Sequence, residues 1–94
     1  MKEIIYTKHL KSKLQLREIS NDLPKNIYSN TRERYYDKET GNNIAIDNIE
    51  YKGKEREMIV VYNEKPDRIN IITIHTIKSD EKNNKIKKGR WIKI

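Results

Sequence analysis

Arg68-Ile69-Asn70-Ile71-Ile72-Thr73-Ile74-His75-Thr76-Ile77 decides how this chain folds. An Ile-rich run of this kind favours a strand, whose pleated surface accommodates β-branched side chains. On a two-residue period Ile69, Ile71, Thr73, His75 and Ile77 share one face, and Asn70, Ile72, Ile74 and Thr76 share the other. Both faces are largely apolar, so the expectation is a central strand covered on both sides. Working outward, residues 44–51 and 56–62 read as two more strands. They are separated by the turn Tyr51-Lys52-Gly53-Lys54-Glu55, and a second turn through Pro66 leads into the Ile-rich run. Together the three predict an antiparallel meander.

The flanks carry helical signals. Glu3-Ile4-Ile5-Tyr6 reads as a short opening strand, and Thr7 or Ser12 is placed to cap a helix over residues 9–19. Leu10 and Leu14 stand one turn apart, with Leu16 and Ile19 widening the apolar stripe that would lie on a sheet. His9, Lys13 and Arg17 recur at i, i+4 and i+8, which aligns them along one edge of that helix. A shorter helix is expected over residues 22–28, with Pro24 in its first turn. Tyr35 and Tyr36 precede a polar turn over residues 37–43 and read as a strand. Ser79-Asp80-Glu81, then Lys85, Lys87 and Lys88, then Gly89 give the cap, dipole and stop of a short basic helix. Residues 90–94 then add an edge strand or tuck Trp91 against the core. The expected fold is α+β: an N-terminal helix or helices on a mostly antiparallel sheet of about four strands, with a short C-terminal basic helix. Residues 1–94 form a single domain.

Composition limits what this fold can do. The chain has 94 residues, 37% charged and 34% hydrophobic, which allows one modest core. No apolar stretch approaches the roughly 18 residues of a membrane span, so the expectation is a cytoplasmic protein with no membrane association. Without cysteine the chain is neither a disulfide scaffold, nor a Cys-ligated zinc module, nor a thiol enzyme. Its net charge of +7 is uneven. Residues 1–25 hold 6 basic and 3 acidic side chains, residues 26–77 hold 8 and 9, and residues 78–94 hold 7 and 2. Cationic excess at both ends is an electrostatic footprint for a polyanion, and favours nucleic acid.

The two histidines are the candidate proton-transfer groups. Metal-independent cleavage of RNA needs a base for the 2′-hydroxyl, an acid for the leaving 5′-oxygen and cations on the phosphate. His9, His75 and Arg56 are the expected catalytic residues. Lys13, Arg17, Lys87, Lys88 and Arg90 are expected to hold phosphate, and Tyr35 and Tyr36 to stack unpaired bases. Tyr6, Tyr62 and Trp91 are expected in the core, because the chain has no Phe to supply aromatic volume. No metal-ligand spacing and no Gly-rich phosphate loop is present, so neither a metal nor another cofactor is expected. Two other functions fit the same composition. One is a non-catalytic nucleic-acid-binding module. The other is a small interaction domain that docks an acidic partner or pairs with a second copy through an exposed sheet edge, as a homodimer.

The order Tyr6-Thr7-Lys8-His9, then Arg17-Glu18-Ile19, then a meander with Arg56 and Val60, then Ile72-Thr73-Ile74-His75 resembles the small toxin domains of the RelE and BrnT kind. These are grouped with barnase- and colicin-type ribonucleases. The resemblance spans residues 3–77. It implies a toxin-type endoribonuclease, acting without metal and neutralised by a small antitoxin protein. Carried over position by position, it places the helix histidine at His9, the helix arginine at Arg17 and the basic residue entering the sheet at Arg56.

Overall fold

The computed structural model describes residues 2–94. The chain runs β1 (Glu3–Tyr6), α1 (Lys8–Leu16), α2 (Leu23–Asn30), β2 (Glu33–Asp37), β3 (Asn43–Tyr51), β4 (Lys54–Glu64), β5 (Arg68–Ile77), α3 (Ser79–Lys87) and β6 (Trp91–Lys93). The strands form one sheet in the order β1-β5-β4-β3-β2-β6. From β1 the chain crosses one face of the sheet as α1 and α2 and starts β2 near the far side. Three consecutive antiparallel hairpins, β2 to β5, bring it back beside β1, where β5 runs parallel to it. Helix α3 then returns along the opposite face, and β6 pairs antiparallel with the outer side of β2.

The expected sheet of about four mostly antiparallel strands is therefore corrected to a mixed sheet of six. Both short terminal segments, β1 and β6, add themselves to the sheet as its two edges. The long α1–α2 crossover allows β1 and β5 to be parallel, which a hairpin cannot.

A second correction concerns β5. Tyr62 lies opposite Ile71 but Val61 lies opposite Thr73, so Ile72 has no counterpart on β4. This one-residue bulge resets the two-residue alternation. Ile69 and Ile71 share the helical face with Ile74 and Thr76, while Thr73, His75 and Ile77 turn to the other face, beside Val61 and Ile59. Nor is β5 central along its length. Strand β1 pairs only with Arg68–Ile71, which leaves residues 73–77 as an open sheet edge.

Each face has its own core. Under the helices Leu10, Leu14 and Ile27 pack on Ala45, Met58, Val60, Ile71 and Ile74. On the other face Tyr35, Ile44, Ile46, Ile59, Ile77 and Trp91 cluster. The β3–β4 hairpin turns through Lys52 and Gly53, whose φ angles of 51° and 78° are the two left-handed positions of a type I′ turn. No helix among the described residues is long and apolar enough to cross a membrane.

The bulge makes a prediction about stability. Ile74 is fully buried and Leu16 is 79% exposed. Ile74→Ala should lower the unfolding free energy by about 2–5 kcal/mol, as for other buried aliphatic truncations. Leu16→Ala should change it by less than about 0.5 kcal/mol. Urea unfolding of the two variants checks both.

Candidate functional site

Thr7 fixes where α1 begins. Its Oγ1 accepts a hydrogen bond from the Leu10 N–H at 3.2 Å and donates one to the Ile72 carbonyl at 2.9 Å. The helix start is thereby tied to the bulge in β5. Leu10 and Leu14 turn into the core, and helical spacing then sets Lys13 and Arg17 on the flank above the open half of β5. The helix stops when Glu18 takes the left-handed conformation at φ 55° and Ile19 re-enters the core.

Lys13, Arg17, His75 and Thr76 line a cleft of about 100 Å³, with Tyr51, Met58 and Ile74 among its other walls. The cleft wraps the open edge of β5, with Ile74 on one side of the strand and His75 on the other. Lys13 Nζ donates to Thr73 Oγ1 at 3.4 Å. The Tyr51 hydroxyl donates to the Arg17 carbonyl at 3.4 Å, tying the helix end to the β3–β4 hairpin. Among the described residues neither Lys13 nor Arg17 has a carboxylate within salt-bridge distance.

This arrangement perturbs two groups. Partial burial of the imidazole, together with the Lys13 and Lys85 ammonium groups, holds His75 below the ordinary histidine range, while Glu81 works in the opposite direction. Burial also lowers Lys13, and the adjacent Arg17 adds to the effect. At neutral pH His75 is thus a neutral imidazole beside two cations, able to accept a proton.

Of the sequence-predicted residues, the structure brings together Lys13, Arg17 and His75. His9 is exposed on the first turn of α1 and does not line the cleft. Arg56 is exposed on β4, where it lines a different groove with Glu55, Glu57 and Glu81. Tyr36 is exposed on β2 and pairs with Ile92 of β6. Lys87 and Lys88 are exposed at the end of α3.

Two expectations are corrected. Tyr35 is 7% exposed, its ring stacks on Trp91 with centroids 5.7 Å apart, and its hydroxyl donates to Glu33. It offers no face to a base. Arg90 is engaged by Asp37 through Nε and Nη2, both at 3.1 Å, and by Glu39 at 3.2 Å. Its guanidinium is a structural counter-ion. Burial alone would raise the Asp37 carboxyl, but the hydrogen bonds and charge of Arg90, together with hydrogen bonds from the Glu39 N–H and Thr40, outweigh it and hold the group below the usual carboxylate range.

Four residues without an expected site role matter here. Arg34 lies beside the Tyr28 and Tyr62 rings and bonds the Thr31 carbonyl at 3.1 Å, holding β2 to α2. Lys82 bridges Glu33 at 3.1 Å and Glu57 at 2.6 Å, which fastens α3 to the sheet. Lys85 and Glu81, one turn apart on the same helix, are the charged groups that α3 brings to His75. The i, i+4 spacing of Glu81 and Lys85 was visible in the sequence, but nothing linked it to β5.

Comparison of the chain with family models, with curated proteins and with solved structures yields no match, so the site is read from its own geometry.

Two measurements test this geometry. In an NMR titration His75 should protonate below the ordinary histidine value, and Lys13→Ala should move it back upward by removing both a cation and part of the cover. The unfolded chain takes up this proton first as pH falls, so the contribution of His75 to stability declines from the ordinary histidine pKa downward. Arg90→Ala should cost about 2–3 kcal/mol, because it strands a carboxylate that is 3% exposed. That loss should be largest at neutral pH and shrink as Asp37 protonates in acid. Thermal unfolding against pH reads it.

Proposed function

We propose that the chain acts on RNA as a toxin-type, metal-independent endoribonuclease, with the Lys13–Arg17–His75 cleft holding the scissile phosphodiester. One observation carries this reading: two cations without a carboxylate partner and a neutral imidazole line the same cleft. A phosphate brings the negative charge those cations lack, and the imidazole stands ready to accept a proton. The cationic ends of the chain and the resemblance to RelE- and BrnT-type domains point the same way. On this reading a small antitoxin is the natural protein partner.

The chemistry is as follows. His75 takes the proton of the 2′-hydroxyl, the 2′-oxygen attacks phosphorus, and the bond from phosphorus to the 5′-oxygen breaks. Lys13, whose ammonium is made more acidic by burial and by Arg17, gives its proton to the leaving 5′-oxygen. The products are a 2′,3′-cyclic phosphate and a 5′-hydroxyl. Arg17 holds the equatorial oxygens, whose charge grows in the transition state. His9, outside the cleft, has no part in these steps.

A second reading is RNA binding without cleavage, and the position of His9 favours it, because only one of the two histidines lines the cleft. Labelled single-stranded RNA incubated with the chain in EDTA separates the two. His75→Ala should slow cleavage by about 10²–10⁴-fold, the range of a lost general base, and Arg17→Ala should slow it by about 10²-fold. His9→Ala should leave the rate unchanged. Cleavage at the wild-type rate by folded His75→Ala overturns the catalytic role. RNA that is shifted on a gel but left intact, with affinity falling steeply as salt rises, establishes the binding reading instead.

A further inference from the structure

His75 and Thr76 belong to two cavities at once. Besides the cationic cleft they line a second cavity of about 240 Å³ on the opposite face of the sheet, under α3. Its chemistry is different. The walls include Ile44, Val61, Ile77 and Trp91, and Glu81 and Lys85 stand among the lining groups. The volume falls below the roughly 300–1,000 Å³ of pockets for drug-sized ligands and suits a single flat ring system.

The two cavities meet across the open half of β5, where no neighbouring strand blocks passage from one face to the other. A nucleotide has the same two-part character: a charged phosphodiester joined through a sugar to an apolar ring with polar edges. Trp91 forms part of the wall of the second cavity, and its Nε1 is buried without an acceptor among the described residues. Every nucleobase carries hydrogen-bond donors or acceptors along its edge. Glu81 accepts and Lys85 donates hydrogen bonds at the polar edge of a ring. Lys85 Nζ stands 5.6 Å from the centre of the Trp91 ring, so both groups frame the same space.

We infer that the cavity between α3 and the sheet is a nucleobase subsite, which takes one unpaired base of the strand whose phosphate sits against Lys13 and Arg17 across the β5 edge. The inference rests on the phosphate reading of the cleft and adds the substrate class: single-stranded RNA with an unstacked base, not duplex. Unstacking exposes both the ring and its polar edge, which is how sequence-specific RNA recognition ordinarily proceeds. It also places His75 between phosphate and base, next to the sugar.

Trp91 is the only tryptophan of the chain and reports on the cavity directly. Adenosine 5′-monophosphate titrated into the full-length chain should change Trp91 emission saturably. Ribose 5-phosphate should do so at least about tenfold more weakly. Val61→Phe fills the cavity from the sheet and should weaken the nucleotide at least about tenfold, while inorganic phosphate, followed by 31P NMR, binds as before. Lys85→Ala, which adds no bulk, should weaken the nucleotide relative to ribose 5-phosphate and serves if Val61→Phe unfolds. Equal binding of the nucleotide and ribose 5-phosphate overturns the subsite and leaves the phosphate reading intact. So does an RNA oligomer that binds no better than its abasic counterpart. Failure of inorganic phosphate and RNA to bind at all overturns both.

Discussion

Ile72 stands in β5 without a counterpart on β4, and the placement of everything near the site depends on that extra residue. Before it, Ile69 and Ile71 face the helices; after it, Ile74 and Thr76 do. Without the bulge the register would send Thr73, His75 and Ile77 into the helical core and expose Ile74, burying an imidazole among Leu10, Leu14 and Met58. The freed carbonyl of Ile72 is also put to use, since it accepts the Thr7 hydroxyl that caps α1. One irregularity therefore aims His75 outward and sets the helix that carries Lys13 and Arg17 above it. Bulges recur beside active sites for this reason: they re-aim a side chain without breaking the sheet.

Charge is partitioned by the same architecture. Lys82 and Arg90, on or just beyond α3, are matched to Glu33, Glu57, Asp37 and Glu39, and these pairs close the second face of the sheet. Among these pairs only Arg90–Asp37 has a buried carboxylate, and such a pair is costly to break while contributing little beyond what apolar groups would. Their consequence is geometric: they fix α3, and with it Lys85 and Glu81, against His75. Lys13 and Arg17 are left without such partners. Of the cations that give the chain its net charge of +7, those bound by carboxylates build the fold, while these two face a cleft.

Much of this was legible in the sequence wherever periodicity decides. The 3.6-residue spacing of Leu10 and Leu14 against Lys13 and Arg17 locates the cationic flank of α1, and the Lys52-Gly53 turn marks the β3–β4 hairpin. Non-local pairing was not legible. Nothing in Glu3-Ile4-Ile5-Tyr6 reveals that its partner is β5 and that the pairing is parallel, and although an edge strand was expected over residues 90–94, nothing there reveals that its partner is β2. The bulge was also hidden, because β5 is apolar on both faces and its composition reads equally well in either phase. That ambiguity put His75 on the same face as Ile69 and Ile71, which the bulge separates from it. The roles of Arg90 and Tyr35 were misread for a related reason: a cation or an aromatic ring in the sequence carries no mark of the partner that will occupy it.

The open half of β5 poses a problem that the site answers. Residues 73–77 present an unpaired sheet edge, and such edges template association with other strands unless something blocks them. Lys13 lies over this stretch, bonded to Thr73, and Arg17 stands beside it in the cleft, so an approaching strand would have to desolvate two unpartnered cations. The same positive charge that repels a protein strand attracts a polyanion, whose backbone needs no edge hydrogen bonds and brings counter-charge with it. Edge protection and phosphate attraction are thus one electrostatic arrangement. What edge protection does not require is an imidazole in the same cleft, since a further lysine would guard the edge as well. The imidazole of His75 is therefore the part of the cleft that guarding an edge leaves unexplained.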